Sequence, residues 1–249
     1  MESPPAADAP WRSGIQGARA NLLPGVMLQL TALALVLGYY YVPDVHGALA
    51  RLVEIRRTAG FGFSIVSTAL FGGMLPFLYI RFSAWIGKER PRYAWVQGLS
   101  LTAFWGYKGF EVDLWYHLQA LMFGGGHDVA TIVLKVVFDQ FLYCPFIAVP
   151  VTVAVYQAVD ARRNWGAILA DLRAPGWYRR RVLPVLISNL GVWVPTVAVI
   201  YCLPTPLQLP LQNIVLCFYT PIVAHQMRTG ANPVPALSGS EAPGLNPTH

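Results

Sequence analysis

The residues with the most chemical potential in this chain sit where charges are least expected, inside long apolar runs. One run carries Lys108, Glu111, Asp113 and His117 together with Tyr107, Trp115, Tyr116 and Gln119. The next carries Lys135, Asp139 and Gln140. Lys108 and Glu111 are three residues apart, while Asp113/His117 and Lys135/Asp139 are four apart. On a helix, those separations put both partners on one face. A charged side chain at the centre of a bilayer costs at least ~2.5 kcal/mol on insertion scales. Such residues must therefore pair with one another, face the interior of a bundle, or line water. Carboxylates and lysines in that setting do the chemistry of ion and solute passage, because rings of charge select by charge. The competing reading is a buried, net-neutral network that fixes helix register. For Asp139, which is flanked by apolar residues, the functional reading is the stronger.

The elements that must position these residues are membrane helices. Only 12% of residues are charged and 55% are hydrophobic, whereas an average globular chain is about 25% charged. Apolar stretches near the bilayer length of roughly 20 residues recur along the chain. Six are expected, over 22–42, 60–80, 95–122, 129–159, 182–203 and 207–224. The Gly124-Gly125-Gly126 turn makes the third and fourth segments antiparallel neighbours, a polar hairpin over 95–159. Interhelical pairs of Asp139 with Lys108 or His117 then come within reach. Residues 1–20, rich in Pro and Ala, read as a disordered leader. Residues 21–228 read as the transmembrane domain and 229–249 as a disordered tail. The expected fold is thus an all-α polytopic bundle of about six helices.

The net charge of +6 does not point to nucleic acid, because the Lys and Arg residues cluster in loops beside the apolar runs. With six spans, thirteen of them fall on one side and three (Arg51, Arg56 and Arg57) on the other. The positive-inside rule then places both termini on the cytoplasmic or matrix side. The connection around residues 44–59 alternates apolar and basic residues as an interfacial helix would. Ala48-Leu49-Ala50 resembles a signal-peptidase site, but the long leader without a basic cluster favours a retained helix. Secretion is excluded on this reading. The prolines at 184, 195, 204, 206, 210 and 221 predict bent final helices.

Enzyme signatures are missing: there is no Gly-x-Ser-x-Gly, no His-Glu-x-x-His and no phosphate-binding loop. No catalytic residue is assigned. No His or Cys pair stands at metal-ligand spacing, so no metal and no cofactor is expected. Cys144, Cys202 and Cys217 lie within apolar segments, where packing is their expected role.

Several of these residues also carry a family resemblance. Lys135-x-x-x-Asp139-Gln140-x-x-x-x-Pro145 resembles the Lys…Asp-Gln…Pro helix of the Mpv17/PMP22 family of small membrane proteins. Gly109 and Trp115-Tyr116 fall where that family has its Gly-Pro…His-x-Trp-Tyr stretch. Asn164-Trp165, Pro184 and Val194-Pro195 match further family positions. The chain departs at Phe110 and Asp113, where the family has proline and histidine, at Leu183 for tryptophan, and at Leu190-Gly191 for Asn-Phe. The resemblance spans roughly residues 95–224. It implies a compact helical bundle in a bacterial inner membrane or an organellar one (mitochondrial inner or peroxisomal), with channel-like permeability. It also singles out Asp139, then Gln140 and Pro145. The function expected is therefore a channel or small-solute permease with its polar path on the third and fourth helices. The alternative is a non-transporting protein that assembles or stabilises a membrane complex. The expected partners are the lipid bilayer and a small solute or ion, self-association into a homo-oligomer is compatible with them, and no nucleic acid is expected.

Overall fold

The structure, a computed structural model, describes residues 10–88, 90–161 and 164–228. Among them every regular element is helical. In chain order these are α1 (Pro10–Ala20), α2 (Leu22–Tyr41), α3 (Pro43–Ala59) and α4 (Phe61–Ile86), followed by α5 (Trp95–Phe123) and α6 (Val129–Asp160). The chain then continues through α7 (Trp165–Arg173), α8 (Tyr178–Ile200) and α9 (Thr205–Arg228). Each apolar segment expected from the sequence coincides with one of α2, α4, α5, α6, α8 and α9.

Among the described residues, α4, α6 and α8 are long and apolar enough to cross a membrane. The pair α2 and α3, bent by 99° at Val42, makes a fourth if taken as one span. α5 is longer than any bilayer requires at 29 residues, but its middle holds Lys108, Glu111 and Asp113. Large apolar side chains such as Leu30, Val66, Phe82, Val133, Phe141 and Phe146 point outward and are exposed. That much outward apolar surface suits a lipid surround and not water.

Three wide, π-helical turns interrupt otherwise regular helices: Ala69–Met74 in α4, Asp139–Ala148 in α6 and Tyr178–Val182 in α8. Each wide turn holds a carbonyl that a following proline displaces. A proline ring collides with the carbonyl four residues back and offers no N–H to it. The carbonyls so displaced by Pro76, Pro145, Pro150 and Pro184 belong to Gly72, Phe141, Phe146 and Arg180, and each lies inside a wide turn. The helix widens and continues instead of breaking.

Caps set the ends of the hairpin. Gly124, at φ +82°, closes α5. The Asp128 carboxylate accepts from the Thr131 backbone N–H at 3.0 Å and from its hydroxyl at 2.7 Å, starting α6. Those two hydrogen bonds, the hydroxyl's foremost, hold the Asp128 carboxyl below its ordinary value.

The core is apolar where the helices converge. Leu28, Val112, Val153, Val197, Ile200, Leu207 and Leu209 are buried in one cluster drawn from α2, α5, α6, α8 and α9. Residues 10–20, expected to be part of a disordered leader, are instead helical and packed along α8. Gly14 fits against Ile187, and Gly191 against Ala18. Small residues on both faces permit this approach, a signal that the Pro- and Ala-rich composition obscured. The expected disordered tail, 229–249, lies outside the described residues, as do 1–9.

Candidate functional site

Lys108, Glu111, Asp113, Lys135 and Asp139 face the inside of the bundle, whereas His117 is exposed; the α5 members are enclosed because α4 and α5 approach closely. A side chain at Gly109 would meet Thr68 at 2.7 Å and collide with the Ser64 carbonyl. One at Gly73 would stand 2.6 Å from the Thr102 Cα. Glycine at both places lets α5 lie against α4, where the Asp113 carboxylate meets the Ser64 hydroxyl.

The first group centres on Asp113, which is 2% exposed. Its carboxylate pairs with the Arg56 guanidinium and accepts from the Ser64 hydroxyl. His117 Nδ1 lies 3.3 Å from the same carboxylate and 2.7 Å from the Asp113 carbonyl, so the i,i+4 pair expected from the sequence is present. Arg56 also donates to the Thr205 and Pro206 carbonyls at the start of α9. These are carbonyls of a helix's first turn, which the guanidinium ties to α3 and α5. From the sequence Arg56 read as a loop charge, but the turn of α3 that carries it folds back into the bundle.

The second group joins α5 to α6 near the midpoint of α5. Lys108, the fourteenth of 29 residues, stands about 20 Å from either helix end. Its ammonium donates to Glu111 at 2.5 Å and to the Tyr143 hydroxyl at 3.2 Å. Tyr143 in turn donates to Glu111 at 2.5 Å. Lys108 is therefore committed inward and does not reach toward an interface. Trp115 stacks on Tyr143 with ring centres 4.8 Å apart.

The third group surrounds Asp139, about 15 Å along α6 from Val129. Trp115 Nε1 donates to Asp139 Oδ1 and Gln140 Nε2 to Oδ2, both at 3.0 Å. Among the described residues no cation lies within ion-pair distance of this carboxylate. The Tyr201 hydroxyl stands beside it and beside the Gln119 amide, outside hydrogen-bonding geometry with either. Gln119, Gln140 and Tyr201 are all fully or nearly fully buried. Both polar atoms of Gln119, Oε1 of Gln140 and the Tyr201 hydroxyl have no partner among the described residues. Tyr116 packs edge-on against Tyr201 and donates to Gln212.

Three expected pairings are corrected. Lys135 and Asp139 do not form an ion pair, although both are buried. The turns carrying Lys135 pack on α8, whereas Asp139 opens the wide turn and its carboxylate is taken up by Trp115 and Gln140. Asp139 likewise forms no ion pair with Lys108 or His117, because Glu111 and Asp113 on their own helix hold those side chains. The structure also brings in residues that spacing alone did not single out as site members: Arg56, Ser64, Gln119, Tyr143 and Tyr201. Tyr201 lies just past α8 in an apolar run with no periodic signal, and only its contact with Tyr116 of α5 reveals it.

Among the described residues no three His, Cys, Asp or Glu side chains converge as a metal site. Comparison of the chain with family models, with curated proteins and with solved structures returns no match.

Proposed function

We propose that this chain is a membrane channel or small-solute permease whose polar path follows α5 and α6, with Asp139 as its charge-selecting group. One observation carries the reading: among the described residues Asp139 is buried without an ion-pair partner, beside Gln119, Gln140 and Tyr201, whose buried polar atoms are not all satisfied. A network kept only for packing would satisfy its own members. Each buried polar group left unmade costs about 1–3 kcal/mol, and a buried ion without a partner costs several kcal/mol. Carboxylate, amide and hydroxyl together suit a passing hydrated cation or small polar solute, which supplies the missing partners in transit.

The topology proposed with it has six spans, α2, α4, α5, α6, α8 and α9, with both termini on the cytoplasmic or matrix side, as the loop charges favour. The membrane is a bacterial inner membrane or an organellar one. Kinship with the Mpv17/PMP22 family belongs to the same proposal, since Lys135, Asp139, Gln140 and Pro145 lie on the wide-turned helix that builds the site. The closed Arg56–Asp113 and Lys108–Glu111 pairs favour a second reading, a structural core that stabilises a membrane complex. Ion conductance of the purified protein, wild type against Asp139→Asn, separates the two.

A further inference from the structure

Well away from Asp139, a cleft of about 820 Å³ opens between the first turns of α5, the last turns of α6, and α7. Its volume falls in the range of about 300–1,000 Å³ usual for ligand sites. The walls are largely apolar, built by Val96, Val155, Ala158, Ile168 and Leu172, and Arg92 also lines the cleft. The polar side chains Gln97 and Ser100 within are already engaged: the Gln97 amide donates to the Val159 carbonyl and its oxygen accepts from the Ala94 N–H, both at 2.9 Å, and the Ser100 hydroxyl donates to the Val96 carbonyl at 2.8 Å. A small water-soluble molecule would find no set of converging polar anchors here. An acyl chain would.

The cleft lies where α5 begins and α6 ends, at the change from apolar helix to charged loop. That is headgroup level in either orientation. Trp95 and Trp165 are exposed beside it, as tryptophans at a membrane boundary are. Arg92 contacts Asp160 at 3.8 Å, and its planar guanidinium carries five N–H donors. Lys88 and Arg90 share its connection. We infer that this cleft seats one glycerophospholipid with an anionic headgroup, its acyl chain against Val96, Val155 and Ile168 and its phosphate at Arg92. Basic side chains beside apolar clefts between membrane helices recognise such headgroups by charge.

The test uses the full chain, purified, stripped of lipid and titrated with phosphatidylglycerol or phosphatidylcholine, with retained lipid counted by native mass spectrometry. The expected result is one phosphatidylglycerol per chain, held roughly fivefold more tightly than phosphatidylcholine. Arg92→Gln brings the two lipids level, and Ala158→Trp, which fills the cleft, abolishes retention of both. Should that variant fail to fold by circular dichroism and gel filtration, Ala154→Leu narrows the same wall. Inorganic phosphate does not displace the lipid, which separates a headgroup site from a free-phosphate site. Asp139→Asn retains lipid as the wild type does, so this result stands apart from the transport reading. Unsaturable binding, displacement by phosphate, or equal retention by a folded cleft-filling variant overturns the inference.

Discussion

The Arg56–Asp113 pair offers the most direct test of how this bundle tolerates charge. Both side chains are buried, at 6% and 2% exposure, and each serves more than the other. Asp113 also accepts from Ser64, and Arg56 also donates to the Thr205 and Pro206 carbonyls. Removing one partner leaves the other charged and unpaired, a loss of about 3–5 kcal/mol. For a chain of this length, each kcal/mol moves the melting temperature by about 2–4 °C. Asp113→Leu and Arg56→Met should therefore each lower it by roughly 6–20 °C. The double variant strands no charge. It leaves Ser64, two carbonyls and the His117 contact without the Asp113 carboxylate or the Arg56 guanidinium, so its loss should fall below the sum of the singles by up to about 3 kcal/mol. Thermal unfolding of the four proteins in one detergent, followed by circular dichroism, reads the cycle. Strict additivity, with the double variant losing the full sum, would refute a coupled buried pair and place the two side chains in separate, wetter surroundings.

Two further outcomes follow from the same packing. Gly109→Ala should lose about 1–3 kcal/mol of stability, because its methyl group meets Thr68 and the Ser64 carbonyl; an unchanged melting temperature would mean that α4 and α5 do not touch there. Trp115→Phe keeps the ring on Tyr143 but deletes the indole N–H to Asp139. It should cost no more than about 1.5–3 kcal/mol while altering the cation preference of any current, and a variant with wild-type selectivity would contradict the role given to that bond.

The positions of α2, α4, α5, α6, α8 and α9 were legible in the sequence because six apolar runs mark them. So were the local pairs Lys108–Glu111 and Asp113–His117, since i,i+3 and i,i+4 spacing needs no tertiary information. Lys135 and Asp139 have the same spacing and do not pair. A local rule cannot see that Trp115, on another helix, competes for the carboxylate. Arg56 was hidden for a related reason: a basic residue between two apolar runs looks like a loop charge until the 99° bend turns its helix back into the bundle. The helix at Pro10–Ala20 was masked by composition, since its order comes from packing on α8 and not from its own propensity. The wide turns were only partly legible: Pro76, Pro145, Pro150 and Pro184 each displace a carbonyl within one, but Pro195 and Pro210 sit inside helical stretches that stay regular.

Ion conductance of the purified protein in planar bilayers, wild type against Asp139→Asn, tests the central claim most directly. The account predicts a wild-type current with cation preference that falls in the variant, while Asp113→Asn, whose carboxylate is closed by Arg56, does not reproduce that change in a folded protein. Silence from wild-type protein that is folded and inserted would contradict the claim. So would a current indifferent to residue 139, which would leave the buried polar groups as the structural core of a membrane complex.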